Sequence, residues 1–553
     1  MNSVFIIVLG LIVYYLGLRV YAKHIDRKVI HVDPRRTTPA CMYADGVDFM
    51  PTSRNILFGY QFKSIAGAAP VLGPIIAIKW GWLPGLLWIL LGTFLIGWAQ
   101  DYSSAIVSMR NDGKTFGGIS YSLISPRART ILLTFIYFYL LLVAAAFANV
   151  VATFMANTPT TPLPIILLAF SGILVGHLIY KGRMSLLLVT VIGLAIFYGA
   201  VVGGNWVPLA LGDPAANKTL WLVFALAFSF FGSVLPIWSF VQPINYLGFY
   251  IIFFGMAAAV LGIFVGHPSL RAPAVTSYVV AGLPIWPMLF VTIACGAISG
   301  WHSIVSSTGT SRQLESELDV RPVAAGAMFL EMILALIALT IASVAVQGGA
   351  WHAVFGAGLS DVFHYLGLPY GWGRAYGPVM IIVLAITILH LVIRFMRIAT
   401  NELVGRRVPL LRNPYIGTII ALILAFLLVK TGTFTYIWVL FGSANQLMAG
   451  LALFIASIWL VSQKKNPTYA VYPMIFMYVT TLAALSLTAY QVLKQAITRV
   501  DLTGRALSGS VIVGNWFAGI IGIVLFIAAL FLAYDGIRAY VRYKNETSPQ
   551  RGG

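Results

Sequence analysis

Apolar stretches of about 18 to 27 residues alternate along this chain with short connections that hold most of its charges. Each is long enough to cross a bilayer as a helix, so the pattern predicts about fifteen crossings. They fall near 2–21, 56–79, 83–108, 130–155, 162–180, 184–205, 219–241, 246–266, 285–307, 323–346, 376–400, 415–430, 435–461, 470–492 and 512–536. Two stretches predict interrupted rather than continuous helix. Ser64-Ile65-Ala66-Gly67-Ala68-Ala69-Pro70-Val71-Leu72-Gly73-Pro74 places glycines and prolines inside a span, where each proline removes a backbone donor and clashes with the preceding turn. Phe231-Gly232-Ser233-Val234-Leu235-Pro236-Ile237-Trp238 reads as a second interruption. Broken backbone at membrane depth is tolerated only where protein or a water-filled cavity covers it, and in secondary transporters such places bind substrate and coupling ion.

By alternation of sides the second interruption enters from the face opposite the first, about 165 residues and five crossings later, the relation of an inverted five-plus-five repeat. The chain then divides into an N-terminal helix and basic loop (1–54), a first five-helix repeat (55–205), a second, inverted one (206–412) and additional C-terminal helices (413–553). The fold class read from this pattern is an all-α polytopic membrane protein, with one helix before the repeats and about four after them.

Composition removes the soluble alternative. With 60% hydrophobic and 9% charged residues among 553, and a mean hydropathy of +0.91, no ordinary globular domain fits. The net charge of +19 does not mark a nucleic-acid partner, because roughly 27 of the 35 basic residues fall on one face of the predicted topology. That bias predicts the N-terminus outside and the C-terminus cytoplasmic. Lys63 is grouped with the basic connections, so almost no cation is expected at mid-membrane depth. Cys41 and Cys295, in a basic loop and an apolar span, make neither a disulfide framework nor a four-ligand zinc site.

Without a buried arginine, an anionic substrate would be held by backbone dipoles at half-helix N-termini beyond Pro70 and Pro236. The substrate candidates are Gly67, Ala68, Ala69, Pro70, Gly232, Ser233, Trp238 and Trp301. The ninth span carries Ser299, His302 and Ser303 at i, i+3 and i+4, one helix face. With carbonyls freed at Ala66 and Gly67, Ser299 and Ser303 offer oxygen ligands for a sodium ion; His302 is the alternative, as a proton carrier. Glu331 and His390 also lie within spans, where a proton relay and a structural hydrogen bond are both open. Asn445 and Gln446 read as interhelical hydrogen-bonding residues.

The chain resembles the carbon starvation protein A (CstA) family. The resemblance is carried by Asn55-Ile56-Leu57-Phe58-Gly59 running into Ile65 to Pro74, by Gly81-Trp82-Leu83-Pro84-Gly85 with Trp88-Ile89, and by Arg110-Asn111-Asp112-Gly113-Lys114. It continues through Ala294-Cys295-Gly296-Ala297-Ile298-Ser299-Gly300-Trp301-His302-Ser303, Gly326-Ala327-Met328 with Glu331, and Leu440-Phe441-Gly442-Ser443-Ala444-Asn445-Gln446-Leu447. It implies a secondary transporter of the prokaryotic inner membrane, peptide or pyruvate uptake, and a LeuT/APC-like core. Three positions depart from the family pattern. Tyr60-Gln61 stands where two histidines are usual, Pro243-Ile244-Asn245-Tyr246-Leu247 replaces Pro-Arg-Asp-Tyr-Leu, and His390 occupies an acidic position.

The function expected is import of a small carboxylate or short peptide by ion-coupled alternating access, with a proton or sodium as the coupling ion and no other cofactor. A channel or nutrient-sensing receptor is the competing class. An enzyme is disfavoured, because no His-Glu-x-x-His, Gly-x-Ser-x-Gly or phosphate-loop motif occurs. Partners are the substrate and the bilayer.

Overall fold

A computed structural model of the chain describes residues 1–45, 49–280, 282–345, 351–405, 407–431, 434–501 and 504–547. Among them, thirteen helices are long and apolar enough to cross a membrane, and the bent pair Arg54–Ile65 (α2) and Ala69–Trp80 (α3), angled by 44°, adds a fourteenth. The protein is an all-α, multi-pass membrane protein. Before the bent pair runs α1 (Val4–Ile30). After it come α4 (Trp82–Met109), α5 (Pro126–Asn157), α6 (Pro162–Tyr180), α7 (Leu186–Gly203), α8 (Pro214–Val234) and α9 (Val241–Gly266). Two short helices, α10 (Ile285–Thr292) and α11 (Gly300–Thr308), then share one interrupted segment. The remainder is α12 (Glu317–Val344), α13 (Trp351–His364), α14 (Tyr370–Val404), α15 (Pro414–Thr431), α16 (Phe434–Ser462), α17 (Thr468–Thr498) and α18 (Gly509–Thr547). The remaining stretch that the hydropathy pattern predicts, 285–307, is covered by α10 and α11, each too short to cross a membrane on its own.

Local chemistry sets the helix starts. Ser125 and Asp213 accept hydrogen bonds from the amides of Ala128 (3.1 Å) and Ala216 (2.6 Å), and Pro126 and Pro214 follow them where the missing N–H costs nothing.

The second interruption is not where the Gly/Pro pattern puts it. Phe231–Trp238 is the end of α8 and a turn into α9: Leu235 is extended before Pro236, and a 3-10 turn covers Ile237–Ser239. Proline here ends one span instead of breaking it. The mid-span break lies at Ile293–Ser299, which holds no proline; Gly296 makes the turn with φ +82°, and a Cβ there would meet the Ala335 side chain at 2.5 Å.

The two interrupted segments organise the packing. Helix α12 packs on α2 and α3, as α4 packs on α11; α9 lies against α2, as α16 lies against α11. Helices α5 and α14 cross each other, α8 bridges both, and α15 does the same. Exchanging α2–α3 with α10–α11, α4 with α12, α5 with α14, α8 with α15, and α9 with α16 maps these contacts onto one another. The α6–α7 hairpin stands outside that scheme and rests on α9.

Candidate transport site

Interruption strips backbone groups of helical partners, and this fold re-pairs them with side chains. At the open end of α2, the Ser64 carbonyl accepts from Trp301 Nε1 at 2.7 Å, and the Ala66 carbonyl lies 3.5 Å from Lys63 Nζ. At the second break, Asn445 Nδ2 donates to the Ala294 carbonyl (3.2 Å) and Gln446 Nε2 to those of Phe290 (2.8 Å) and Ile293 (3.1 Å). Thr93 Oγ1 donates to the Gly296 carbonyl at 3.0 Å. Asn445 also caps the next helix, its Oδ1 accepting the Trp301 amide at 3.0 Å. Asn445 and Gln446 are thus interhelical hydrogen-bonding residues, as expected, and what they serve is the interruption.

Ser299, His302 and Ser303 do not form a common ligand face. Ser299 precedes α11 in extended conformation (φ −148°), because the break includes it. Its hydroxyl lies 3.2 Å from both Asn445 Oδ1 and Cys295 Sγ, while Ser303 Oγ accepts from Gln100 Nε2. His302 turns to α4 and α12: Nδ1 is 3.0 Å from Asp101 Oδ2 and Nε2 is 3.0 Å from Glu331 Oε2, with all three side chains fully buried. The Asp101 contact is a hydrogen bond; that to Glu331 is within ion-pair distance but off hydrogen-bond alignment. Cys295, His302 and Glu331 bring possible metal-ligand atoms within 4.8 Å of one another. Both His302 nitrogens, however, already face carboxylates, so the cluster is knit by its own contacts.

Glu331 therefore pairs with His302, and His390 is not its partner. His390 is buried on α14 with its ring 5.8 Å from that of Phe228 and 6.2 Å from that of Phe240. Gly232 is the surface it packs on, since a Cβ there would meet His390 Cβ at 2.5 Å. Ser233 bonds Thr418 of α15 at 2.8 Å. Gly232 and Ser233 thus serve helix packing. Gly67, Ala68, Ala69 and Pro70 are buried at the first break, where a Cβ on Gly67 would press Phe147 of α5 at 3.1 Å and Ile388 of α14 at 3.2 Å.

Lys63 is the residue that the hydropathy reading placed wrongly. It lies on the last turn of α2, wholly buried, with Nζ 2.5 Å from Thr387 Oγ1 on α14. A basic residue next to a basic loop looks like part of that loop; its place well inside the stretch beginning at Ile56 was the available signal. In their charged forms Lys63 and His302 balance Asp101 and Glu331.

A cavity of about 880 Å³ lies among α2, α5, α11 and α14, without Lys63, Asp101, His302 or Glu331 in its wall. Tyr60 of α2, Ile304 and Thr308 of α11, Leu140 of α5 and Trp238 line it together with Arg312, Arg394, Arg397 and Glu402. Of the substrate candidates it takes in Trp238; Trp301 is buried beside it, its ring 5.6 Å from that of the lining residue Phe395. On the far side of the breaks α3 and α10 meet closely: a Cβ on Gly73 would stand 2.8 Å from the Thr292 carbonyl oxygen.

The profile of the carbon starvation protein CstA family matches residues 2–355 and 343–484. The chain belongs to the CstA family. It is 31% identical over 538 residues to the peptide transporter CstA of Bacillus subtilis, covering 87% of this chain and 89% of that protein. It is 34% identical over 372 residues to the pyruvate/proton symporter BtsT of Escherichia coli, covering 64% of this chain and 50% of that one. Several of its curated CstA-family relatives are thus matched over only about half their length. Among solved structures, a manganese transporter of Eremococcus coleocola aligns over 90% of the chain with a TM-score of 0.47 and 13% identity. MhsT in complex with L-phenylalanine aligns over 88% with a TM-score of 0.46 and 12% identity.

Proposed function

We propose that this CstA-family protein is a secondary active transporter of the inner membrane that imports small carboxylates of the pyruvate type, or short peptides, by ion-coupled alternating access. The observation that carries the reading is the cavity bounded by α2, α5, α11, α14 and the turn from α8 to α9. Its wall holds Arg312, Arg394 and Arg397 against the single carboxylate of Glu402, a field suited to an anion. Two of the helices in its wall, α2 and α11, adjoin interruptions whose peptide groups are paired with protein side chains, as a binding site at mid-membrane requires. The close seat of α3 against α10 closes the other side, which favours alternating access over a channel. Relatives named as a peptide transporter and a pyruvate/proton symporter support both substrate classes.

In this reading the substrate meets Gly67 to Pro70 and Trp301, and the Asp101–His302–Glu331 trio carries the coupling proton, since His302 is hydrogen-bonded to Asp101 at 3.0 Å and has the Glu331 carboxylate 3.0 Å from its other nitrogen. The repeats run over 54–266, with the α6–α7 hairpin as an insertion, and over 285–462. The basic face is cytoplasmic, with the N-terminus outside.

Reconstituted protein given labelled pyruvate, dipeptides and amino acids under imposed proton or sodium gradients tests the reading. Accumulation above equilibrium that collapses with an ionophore is expected. Flux only down the substrate gradient overturns it.

A further inference from the structure

Lys63 is costly where it stands. A buried ammonium persists only if its surroundings replace the water it has lost. Those surroundings are oxygens from two elements: the Ala66 carbonyl at the α2 interruption, 3.5 Å away, and the Thr387 hydroxyl on α14, 2.5 Å away. Thr387 Oγ1 donates its own hydrogen to the Val383 carbonyl at 2.7 Å, so it meets Lys63 as an acceptor. The stem is accommodated too. Gly248 of α9 faces it, and a Cβ there would stand 3.0 Å from Lys63 Cε. No carboxylate lies within ion-pair distance of Nζ among the described residues; the titratable groups that interact with it across space are Glu331 on α12 and His390 on α14.

A helix-end carbonyl and a hydroxyl from the facing helix are donors of the kind that hold a small hard cation. Here a side chain of the protein itself supplies the positive charge. We infer that Lys63 is a tethered cation, its ammonium filling the place between the α2 interruption and Thr387 that an external sodium ion would otherwise occupy, so that this transporter dispenses with sodium there. The inference rests on the transport reading above and names which ion that reading does not need.

The test separates the two, because it measures ion binding without transport. Full-length protein purified in detergent is titrated with radioactive sodium, and its unfolding temperature is compared in sodium chloride and choline chloride. Wild type is expected to show no saturable sodium binding and the same unfolding temperature in both salts. Lys63→Ala, which vacates the place, is expected to gain saturable binding at least about tenfold above wild type, with sodium raising its unfolding temperature. Lys63→Ala/Thr387→Val, lacking the hydroxyl ligand, is expected to lose that gain. Lys63→Gln, which keeps most of the stem, replaces the alanine variant if the latter does not elute as a single folded species. Sodium binding by wild type that Thr387→Val abolishes, or a folded Lys63 variant indifferent to sodium, overturns the inference. So does a Lys63 variant whose only defect is loss of binding of labelled pyruvate, because Lys63 would then be a substrate ligand.

Discussion

Trp301 Nε1 donates to the Ser64 carbonyl across 2.7 Å, so an indole on one interrupted segment closes the open end of the other. Trp301→Phe preserves the ring against Phe395 but removes the donor. The orphaned carbonyl is expected to lower stability by about 1–3 kcal/mol. Thermal unfolding in detergent should show a drop of several degrees, and Trp301→Leu a larger one.

Arg110 grips Glu317 through Nε–Oε1 and Nη2–Oε2 contacts of 2.9 Å each, and Glu317 is fully buried. Removing Glu317 leaves the nearly buried Arg110 without its counter-charge, at a cost of about 3–5 kcal/mol, whereas removing Arg110 leaves Glu317 with Arg36 at 3.6 Å and the Asp33 amide at 2.8 Å and costs less. Glu317→Ala should destabilise strongly and Arg110→Ala less, and the double variant by less than their sum. A double-mutant cycle on unfolding midpoints measures the difference.

The carboxylates on either side of His302 predict how coupling fails. Asp101→Asn and His302→Gln are expected to abolish accumulation driven by an imposed proton gradient while leaving counterflow exchange of preloaded substrate. Loss of both activities together would point to collapse of the site rather than loss of a proton carrier. Proteoliposome uptake and counterflow on the same preparations decide between them.

Orientation is checked by single cysteines. Lys218→Cys should react with an impermeant maleimide added to intact cells, whereas Lys114→Cys should react only after permeabilisation. The exposed native Cys41 is first replaced by serine so that it does not contribute to the labelling.

Gly73 marks the closed side of the breaks. Gly73→Ala would bring a methyl carbon 2.8 Å from the Thr292 carbonyl oxygen and 3.0 Å from Ile293 Cα, both backbone atoms that yield little. The expected result is slower uptake with a stability loss of about 1–3 kcal/mol, read from initial rates and unfolding midpoints.

Hydropathy found the crossings because a bilayer demands length and apolarity, both countable along the sequence. It also found the first interruption, where Pro70 and Pro74 stand inside a span. It missed the second. Gly/Pro content marks both a broken span and an ordinary turn between two spans, and Pro236 belongs to a turn. The true break at Ile293–Ser299 is held open by Asn445 and Gln446, some 150 residues away in sequence. No local pattern shows that. Nor does one show that His302 faces Asp101 and Glu331, since the three come from separate helices. Lys63 was obscured by its neighbours: charge near a loop is assigned to the loop until the fold shows which way the stem runs.

The side-chain ties around Ile293–Ser299 also bear on how the molecule moves. Asn445 and Gln446 fasten this segment to α16 and Thr93 fastens it to α4, while the first turn of α11 directly after it is tied to α4 through His302 and Asp101 and to α2 through Trp301. A stretch sewn down on three sides is a poor hinge, however flexible Gly296 is in isolation. On the transport reading proposed above, opening and closing would move the whole knot as one piece while its stitches stay intact. The glycine turn is a seam, held by the side chains stitched across it.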